Sequence, residues 1–283
     1  MNYNNEIEQF FKNYQYQTKK IKKANFKYII TGNENKPCII FLNGGMNSSE
    51  MWFKYVEILS KEYRVLIFNY PMELKTYEET ISAMNQFFRE LKINKAYFIG
   101  ASFGGLMAQI YAKKYPENVL GLGLFSTAGL DENTIKNAKK KYRLLPLMLW
   151  YIKHSNYEKL KPKFIKVFLK KYAQDETPED KEYIKKVLEY SFKDYTREKD
   201  IHITSMMARL KYMKPYERKD FEFIKNKVLL IFPEKDFFSE NEQNSLKELF
   251  KEAKVEYIKN GHLGTIIEYE KYINQIKELI ETK

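Results

Sequence analysis

Short apolar runs alternate with amphipathic stretches along much of the chain. Apolar runs bounded by polar or glycine-containing segments predict buried strands near Phe26–Thr31 and at 37–42, 63–69, 95–100, 119–125, 228–232 and 254–258. Apolar residues at helical spacing predict helices between the early strands, at 49–60, 77–92 and 104–115. Alternating strands and helices are typical of a mostly parallel β-sheet with helices on both faces. We therefore predict an α/β fold.

Helical patterns also occupy the two ends of the chain and a long central segment. One helical face before the first predicted strand carries Ile7, Phe10, Phe11 and Tyr14, and one face of a predicted last helix carries Ile266, Tyr269, Ile273, Ile276 and Ile280. Between about 127 and 218 helical patterns continue without a convincing buried strand. We predict an α/β core made of residues 1–126 and 219–283, with an all-helical insertion at 127–218.

The predicted strand at 95–100 ends in a G-x-S-x-G motif, and a helix-compatible stretch follows. The motif is Gly100-Ala101-Ser102-Phe103-Gly104. A strand, a sharp turn and a helix are what a nucleophile elbow needs, because the turn holds the serine hydroxyl exposed above the sheet. Gly100 and Gly104 lie where a Cβ would meet the strand or the helix. Ser102 is therefore the candidate nucleophile.

Two later segments supply partners for a serine nucleophile. A carboxylate, Asp236, follows the predicted strand at 228–232, and His262 lies in a loop between the strand at 254–258 and the last helix. A hydroxyl is a weak nucleophile, so it needs an adjacent base, and the base needs an orienting partner. Ser102, Asp236 and His262 provide one group of each kind.

Other residues compete for these roles. Glu234 lies two residues before Asp236 and is an alternative acid, whereas Asp131 is better placed to begin a helix. Of the three histidines, His154 and His202 fall in the helical insertion, where an isolated histidine is more often a packing or surface residue. No His, Cys, Asp or Glu spacing suggests a metal site, and no phosphate-binding loop motif is present. We expect no metal and no cofactor.

These motifs, in the order Ser, Asp, His, resemble those of the capped members of the α/β-hydrolase fold superfamily. The resemblance covers roughly residues 25–126 and 219–283. It implies a Ser-His-acid triad, an acid at the position of Asp236 rather than Glu234, and a helical cap over the carboxyl ends of the strands. It specifies the fold and the triad and not the substrate.

The resemblance also implies an oxyanion hole. In capped members the loop after the strand at 37–42 usually reads His-Gly-x, and the amide of x acts together with the amide that follows the nucleophile. The matching amides here are those of Gly45 and Phe103, and each such donor is worth about 10²–10³ in rate. This chain departs from the pattern by carrying Asn43 where histidine is common.

Charge is concentrated in the insertion. The chain of 283 residues has a formal net charge of +12, and the window 136–171 contains twelve Lys and Arg residues and a single acidic residue, Glu158, a local net charge of +11. The plainer interpretation is a solvated lysine face, and the alternative is contact with an anionic membrane surface or steering of an acidic substrate. No nucleic-acid recognition motif accompanies the patch, so we expect no nucleic-acid partner.

Compartment and oligomeric state are less constrained. The single cysteine, Cys38, permits no internal disulfide, and the polar first twenty residues lack the apolar segment of a signal peptide. The longest apolar run, Leu144–Ile152, is too short to span a membrane. These features lead us to expect a cytoplasmic protein. The sequence makes no prediction of the oligomeric state.

The predicted activity is hydrolysis of a small-molecule carboxylic ester through an acyl-enzyme on Ser102. The apolar run Leu144–Ile152 and the pair Met206-Met207 either line an apolar pocket or pack as ordinary core. A serine at the elbow argues against the superfamily's dehalogenases and epoxide hydrolases, and Phe103, where prolyl aminopeptidases usually carry tryptophan, argues mildly against those. A thioesterase, a C–C hydrolase, a menaquinone-pathway-type lyase, and a slow-turnover ligand-binding or regulatory protein remain open.

Overall fold

A computed structural model describes residues 6–173, 176–236, 238–259 and 261–282, and an eight-stranded sheet forms its centre. The strands are β1 (Gln17–Ile21), β2 (Ala24–Thr31), β3 (Cys38–Leu42), β4 (Arg64–Phe68), β5 (Ala96–Ala101), β6 (Val119–Phe125), β7 (Val228–Pro233) and β8 (Lys254–Ile258). They lie in the order β1-β2-β4-β3-β5-β6-β7-β8. The pairs from β4 to β8 are parallel, and β1 and β2 add an antiparallel edge.

Helices cover both faces of this sheet. They are α1 (Glu6–Asn13), α2 (Phe53–Leu59), α3 (Tyr77–Glu90), α4 (Phe103–Lys114), α5 (Glu132–Lys141), α6 (Leu145–His154), α7 (Tyr157–Tyr172), α8 (Pro178–Phe192), α9 (Arg197–Ala208), α10 (Glu240–Leu249), α11 (Gly264–Ile267) and α12 (Tyr269–Glu281). All five residues of β3 are buried, as expected for a strand covered on both sides. Alternate strand residues enter two apolar cores, one on each face. The predicted α/β fold is confirmed.

The register brings the carboxyl ends of the central parallel strands to one edge of the sheet. Leu42 of β3 pairs with Gly100 of β5, and Ala101 pairs with Phe125 of β6. Phe125 in turn pairs with Ile231 of β7. The loops that leave β3, β5, β6 and β7 therefore emerge together, which is where ligands bind in open parallel sheets.

Two local expectations from the sequence differ from the structure. The strand β1 precedes the predicted first strand and was not predicted. Its residues QTKKI are mostly polar, and only Ile21 is buried at this sheet edge. The predicted last helix is interrupted at Glu268 and forms α11 and α12. The buried face of α12 consists of Tyr272, Ile273, Ile276 and Leu279, whereas Tyr269 and Ile280 are only half-buried.

Between β6 and β7 the described residues form helices and no strand. The helices α5 to α9 and short 3-10 turns occupy this segment. Side-chain capping begins α5, α7, α8 and α9, where Asp131, Asn156, Thr177 and Thr196 each accept a bond from a first-turn amide. No helix among the described residues combines the length and the apolar character that crossing a bilayer would require.

Candidate active site

Ser102 occupies a strained turn between β5 and α4. Its backbone angles are φ 54° and ψ −120°, in a region that residues with a side chain seldom adopt. Such a conformation costs on the order of 1–3 kcal/mol and persists only where neighbours fix it. Here Ser102 N–H donates to Phe125 O (2.9 Å), and the Ser102 carbonyl accepts from Gly105 N–H (3.0 Å) and Thr127 Oγ1 (2.7 Å). These contacts hold the half-buried Ser102 at the carboxyl edge of the sheet.

The two outer glycines of the motif permit close packing around this turn. A Cβ on Gly104 would lie 2.0 Å from Leu42 O, and a Cβ on Gly100 would lie 2.3 Å from Gly104 O. Both distances are far inside van der Waals contact, so any side chain at either position would push α4 away from the sheet. The two glycines are therefore needed for α4 to pack against the sheet, and this packing in turn fixes the position of Ser102.

Asp236 and His262 are brought together from two different loops. Asp236 follows β7 and His262 precedes α11, and His262 Nδ1 lies 2.6 Å from Asp236 Oδ1. The Asp236 side chain has no exposed surface, and that of His262 is 14% exposed. A buried carboxylate on Nδ1 fixes the orientation of the ring and leaves Nε2 for the site. The Tyr172 ring, at the end of α7, lies 5.5 Å from the His262 ring between centroids.

The competing residues have other surroundings. Asp131 caps α5 by accepting from Thr134 N–H (2.9 Å), as the sequence suggested, and Glu234 is exposed. His154 is exposed on α6. His202 is buried in α9, and burial lowers its pKa to about 4, so the ring is neutral at physiological pH.

The glycine loop after β3 lies directly beside the elbow. A Cβ on Gly44 would be 3.4 Å from Ala101 O and 3.7 Å from Ser102 Cβ. Phe103, the residue after the serine, is the first residue of α4, and first-turn amides of a helix have no partner within it. The predicted donor residues, Gly45 and Phe103, thus lie on segments that flank Ser102. The atom Met207 Sδ is 3.6 Å from where a Cβ on Gly45 would be, so α9 of the insertion covers this loop.

Asn43 anchors the start of this loop through its buried amide. Asn43 Nδ2 donates to Phe68 O at 2.7 Å and to Asn69 Oδ1 at 3.2 Å, while Asn43 Oδ1 accepts from Trp52 Nε1 at 3.2 Å. Tyr70 hydroxyl donates to the Asn43 carbonyl at 3.2 Å. The side chain that replaces the more common histidine therefore ties β3, β4 and the helical turn at Trp52 together.

Asn47 fixes the other side of the same loop. Its backbone is left-handed, with φ 47°, and its side chain pairs twice with the Tyr70 backbone. Asn47 Nδ2 donates to Tyr70 O at 2.9 Å, and Tyr70 N–H donates to Asn47 Oδ1 at 2.7 Å. Sequence reasoning missed both Asn47 and Asn69. The only signal was the recurrence of asparagine after two neighbouring strand ends, at 43, 47 and 69.

The arrangement combines the elements of nucleophilic catalysis at one sheet edge. A strained serine lies beside a glycine loop, and a histidine oriented by a buried carboxylate comes from the adjoining loops. Among the described residues, no group of three or more His, Cys, Asp or Glu side chains could hold a metal ion.

Comparison with known proteins agrees with the fold. The enol-lactonase from Burkholderia xenovorans LB400 superposes with a TM-score of 0.76 at 18% identity, covering 94% of this chain and 100% of that one. At this identity the likeness establishes the fold. Monoacylglycerol lipase ABHD6 of Bos taurus is 31% identical over 111 residues, and proline iminopeptidase PfmaB of Pestalotiopsis fici is 31% identical over 141 residues.

The two sequence relatives are matched over part of their length only. The alignments cover 35% of this chain and 33% of the lipase, and 44% of this chain and 50% of the iminopeptidase. The chain thus spans about a third of the lipase and half of the iminopeptidase. The family model for the alpha/beta hydrolase fold matches residues 37–269, which include the Ser102 turn, Asp236 and His262. The chain belongs to the α/β hydrolase fold family.

Proposed function

We propose that this chain is a serine hydrolase that cleaves a carboxylic ester through an acyl-enzyme. The observation that carries the proposal is the strained Ser102 turn, held at the same sheet edge as the His262–Asp236 pair. A backbone strain of this kind is retained where function requires the side chain in one place. Esters fit best because a relative matched over 35% of this chain is named a monoacylglycerol lipase.

In the proposed first step Ser102 Oγ attacks the ester carbonyl carbon. His262 Nε2 accepts the serine proton and returns it to the leaving alcohol, while Asp236 orients the ring and stabilises its charged form. The negative charge that develops on the carbonyl oxygen is stabilised by the Gly45 and Phe103 amides. The alcohol then leaves, and the acyl group remains on Ser102.

In the second step water takes the place of the alcohol. His262 removes a proton from the water, which attacks the acyl carbonyl, and the same pair of amides stabilises the second oxyanion. Return of the proton to Ser102 Oγ releases the carboxylic acid and restores the resting enzyme. The cycle needs no metal and no cofactor, because each proton moves between Ser102, His262, the alcohol and water.

We further propose that the helical insertion acts as a cap over this site. Two contacts support this role: Met207 of α9 lies against Gly45, and Tyr172 of α7 lies against the His262 ring. The Tyr77 hydroxyl also donates to Met206 O at 2.6 Å, which ties α9 to α3 of the core. A methionine beside the oxyanion loop favours an apolar acyl group, since its thioether is flexible and polarisable.

The activity is tested with p-nitrophenyl esters from acetate to palmitate, comparing the unmodified protein with Ser102→Ala. We expect turnover that falls by at least about 10⁴-fold in the variant. The chain length at which kcat/KM peaks measures the room beneath Met207. A folded protein whose hydrolysis does not exceed that of Ser102→Ala would contradict the ester proposal and favour the lyase or ligand-binding alternatives.

The acid is tested by two matched amide substitutions. Asp236→Asn should lower kcat by about 10⁴-fold, because it removes the charge that orients and stabilises the His262 ring. Glu234→Gln makes the same chemical change two residues away on an exposed side chain, and kcat should stay within about twofold. A larger loss in Glu234→Gln would assign the acid to Glu234.

One observation favours a second candidate, hydrolysis of an amino-terminal prolyl bond. The named iminopeptidase relative matches 44% of the chain at 31% identity. Proline p-nitroanilide should be assayed beside the esters at equal concentration. Ser102-dependent release of nitroaniline that exceeds ester hydrolysis in kcat/KM would transfer the proposal to this reaction.

A further inference from the structure

A cluster of exposed apolar side chains lies at α6 and the residue before it, in the helical insertion. Leu144, Leu147, Trp150 and Tyr151 are 57–59% exposed, and we refer to them as the apolar stripe. Spacings of three and four residues place them on one side of the helix. The opposite side packs inward, where Ile152 is buried and Leu145 and Met148 contact the core.

This clustering is unusual for a solvated surface. Single exposed apolar residues are common and do not indicate a binding surface, whereas a contiguous group usually marks a contact surface. The other large apolar side chains that are exposed among the described residues lie on separate elements or loops: Met72, Val167, Tyr212, Phe223 and Tyr257. Tryptophan and tyrosine are the side chains that favour the boundary between a bilayer and water.

Basic residues flank the apolar stripe along the chain. Lys139, Lys140, Lys141, Arg143 and Lys153 immediately precede or follow it, all with exposed surface. Loss of solvent lowers the pKa of Lys141; Glu242 of α10 opposes this shift, and the smaller effect of Lys171 of α7 adds to it, so cations from two helices lie near each other here. The window from 136 to 171 carries a net charge of +11. The cationic character therefore extends over neighbouring helices.

The positive charge around the apolar stripe distinguishes between two candidate partners, a second copy of this chain and an anionic membrane. A second copy of this chain would bring two strongly cationic regions together and oppose association. An anionic bilayer would attract the lysines and accept the apolar side chains among its headgroups and acyl chains. We propose that α6 is a docking surface for an anionic membrane, with the apolar stripe inserted at the interface.

Docking in this way would bring the bilayer close to the candidate oxyanion loop. The helix α6 packs on α9, and α9 carries Met207, which covers Gly45. The helices α6 and α9 then lie between the membrane and the loop. The docking proposal stands on the surface alone and remains testable if the chain is not an esterase.

Binding is measured by co-sedimentation of the full chain with vesicles. We expect binding to phosphatidylcholine vesicles that contain about 30 mol% phosphatidylserine, little binding to phosphatidylcholine alone, and loss of binding in about 0.5 M NaCl. Equal binding to both vesicle types, or none to the anionic vesicles, would overturn the proposal.

Two tyrosines provide a matched pair of variants. Tyr151 in the apolar stripe and Tyr257 on β8 are 57% and 58% exposed, so Tyr→Glu at each is the same change at equal exposure. We expect Tyr151→Glu to weaken vesicle binding by about tenfold or more and Tyr257→Glu to change it by less than twofold. Equal losses would show that only net charge matters and would refute insertion of the stripe. Far-ultraviolet circular dichroism and thermal unfolding check that both variants fold.

Trp150 reports insertion directly. The only other tryptophan, Trp52, is 3% exposed and hydrogen-bonded in the core, so a change on vesicle addition belongs to Trp150. We expect a blue shift of the fluorescence emission and quenching by brominated lipid. Both should disappear in Trp150→Phe, while that variant still sediments with vesicles.

Sedimentation velocity without lipid tests the competing occupant, a second copy of this chain. A dimer that Tyr151→Glu converts to monomer would assign the stripe to self-association and overturn the proposal.

Discussion

Asn43 is the side chain on which the shape of the candidate oxyanion loop depends most. It is 1% exposed and lies at the end of β3, directly before Gly44 and Gly45. Replacement by alanine removes its bonds to Trp52 Nε1 and to Phe68 O. Because an unpaired buried group costs about 1–3 kcal/mol, Asn43→Ala should lower the free energy of unfolding by about 2–4 kcal/mol.

This loss of unfolding free energy corresponds to a measurable fall in Tm. With an unfolding entropy of about 2.1 cal/mol/K per residue, a loss of about 3 kcal/mol in a chain of 283 residues corresponds to a fall in Tm of about 5 °C. Differential scanning calorimetry measures it, and Asn137→Ala, on the exposed face of α5, is the control that should leave Tm within about 2 °C. Ester turnover by folded Asn43→Ala should fall about 10²-fold in kcat, because the Gly45 amide loses its fixed position.

Asn43→Asp separates the hydrogen bonds from the shape of the side chain. The variant keeps an acceptor for Trp52 and the volume of asparagine, but it turns a buried carboxylate toward Phe68 O and Asn69 Oδ1. This surrounding raises the carboxyl pKa in the folded state, so stability is greatest at low pH and is lost as pH rises. At pH 7 we expect Asn43→Asp to unfold at a lower temperature than Asn43→Ala. The difference between the two Tm values should shrink towards pH 5. A variant as stable as the unmodified protein at pH 7 would refute the role assigned to this network.

Three further outcomes follow from single residues. Gly104→Ala should unfold at markedly lower denaturant than the unmodified protein, because its Cβ would lie 2.0 Å from Leu42 O; an unchanged midpoint would show that the elbow can relax. Burial holds the pKa of His202 at about 4, against 6.5 when unfolded, so the free energy of unfolding should fall by about 3 kcal/mol as pH drops from about 6.5 to 4. His202→Gln should flatten that part of the urea-midpoint profile, and an unaltered slope would assign the pH dependence elsewhere. Met207→Ala should move the preferred acyl length upward in the ester panel, whereas Met206→Ala, at a buried neighbour, should lower stability without moving it.

The central strands and the elbow could be predicted because their sequence signals are local. Buried parallel strands such as β3 and β7 are continuous apolar runs, and glycines at 100 and 104 mark a turn too tight for side chains. The strand β1 could not be predicted, because this polar edge strand has neither an apolar run nor a clean alternation.

The contacts that shape the candidate site could not be predicted for a different reason. Asn43, Asn47 and Asn69 cooperate across two strand ends, and no spacing along the chain shows that their amides meet. The carboxyl partner of His262 was selected by position, and only the fold shows the 2.6 Å contact with Asp236. The apolar residues of α6 were read as pocket lining or core, and in the structure half of that helix faces solvent.

Covalent labelling tests the central claim most directly. A fluorophosphonate reacts with an activated serine hydroxyl, and peptide mass spectrometry locates the adduct. Ser126 is an internal comparison, since it also has a positive φ, 46°, at the end of the neighbouring strand but is 1% exposed. We predict one adduct per chain on Ser102, abolished in Ser102→Ala, slowed by orders of magnitude in Asp236→Asn and unaffected in Ser126→Ala. A folded protein that is not labelled at Ser102, or is labelled equally fast in Ser102→Ala, would contradict the assignment of Ser102 as the nucleophile.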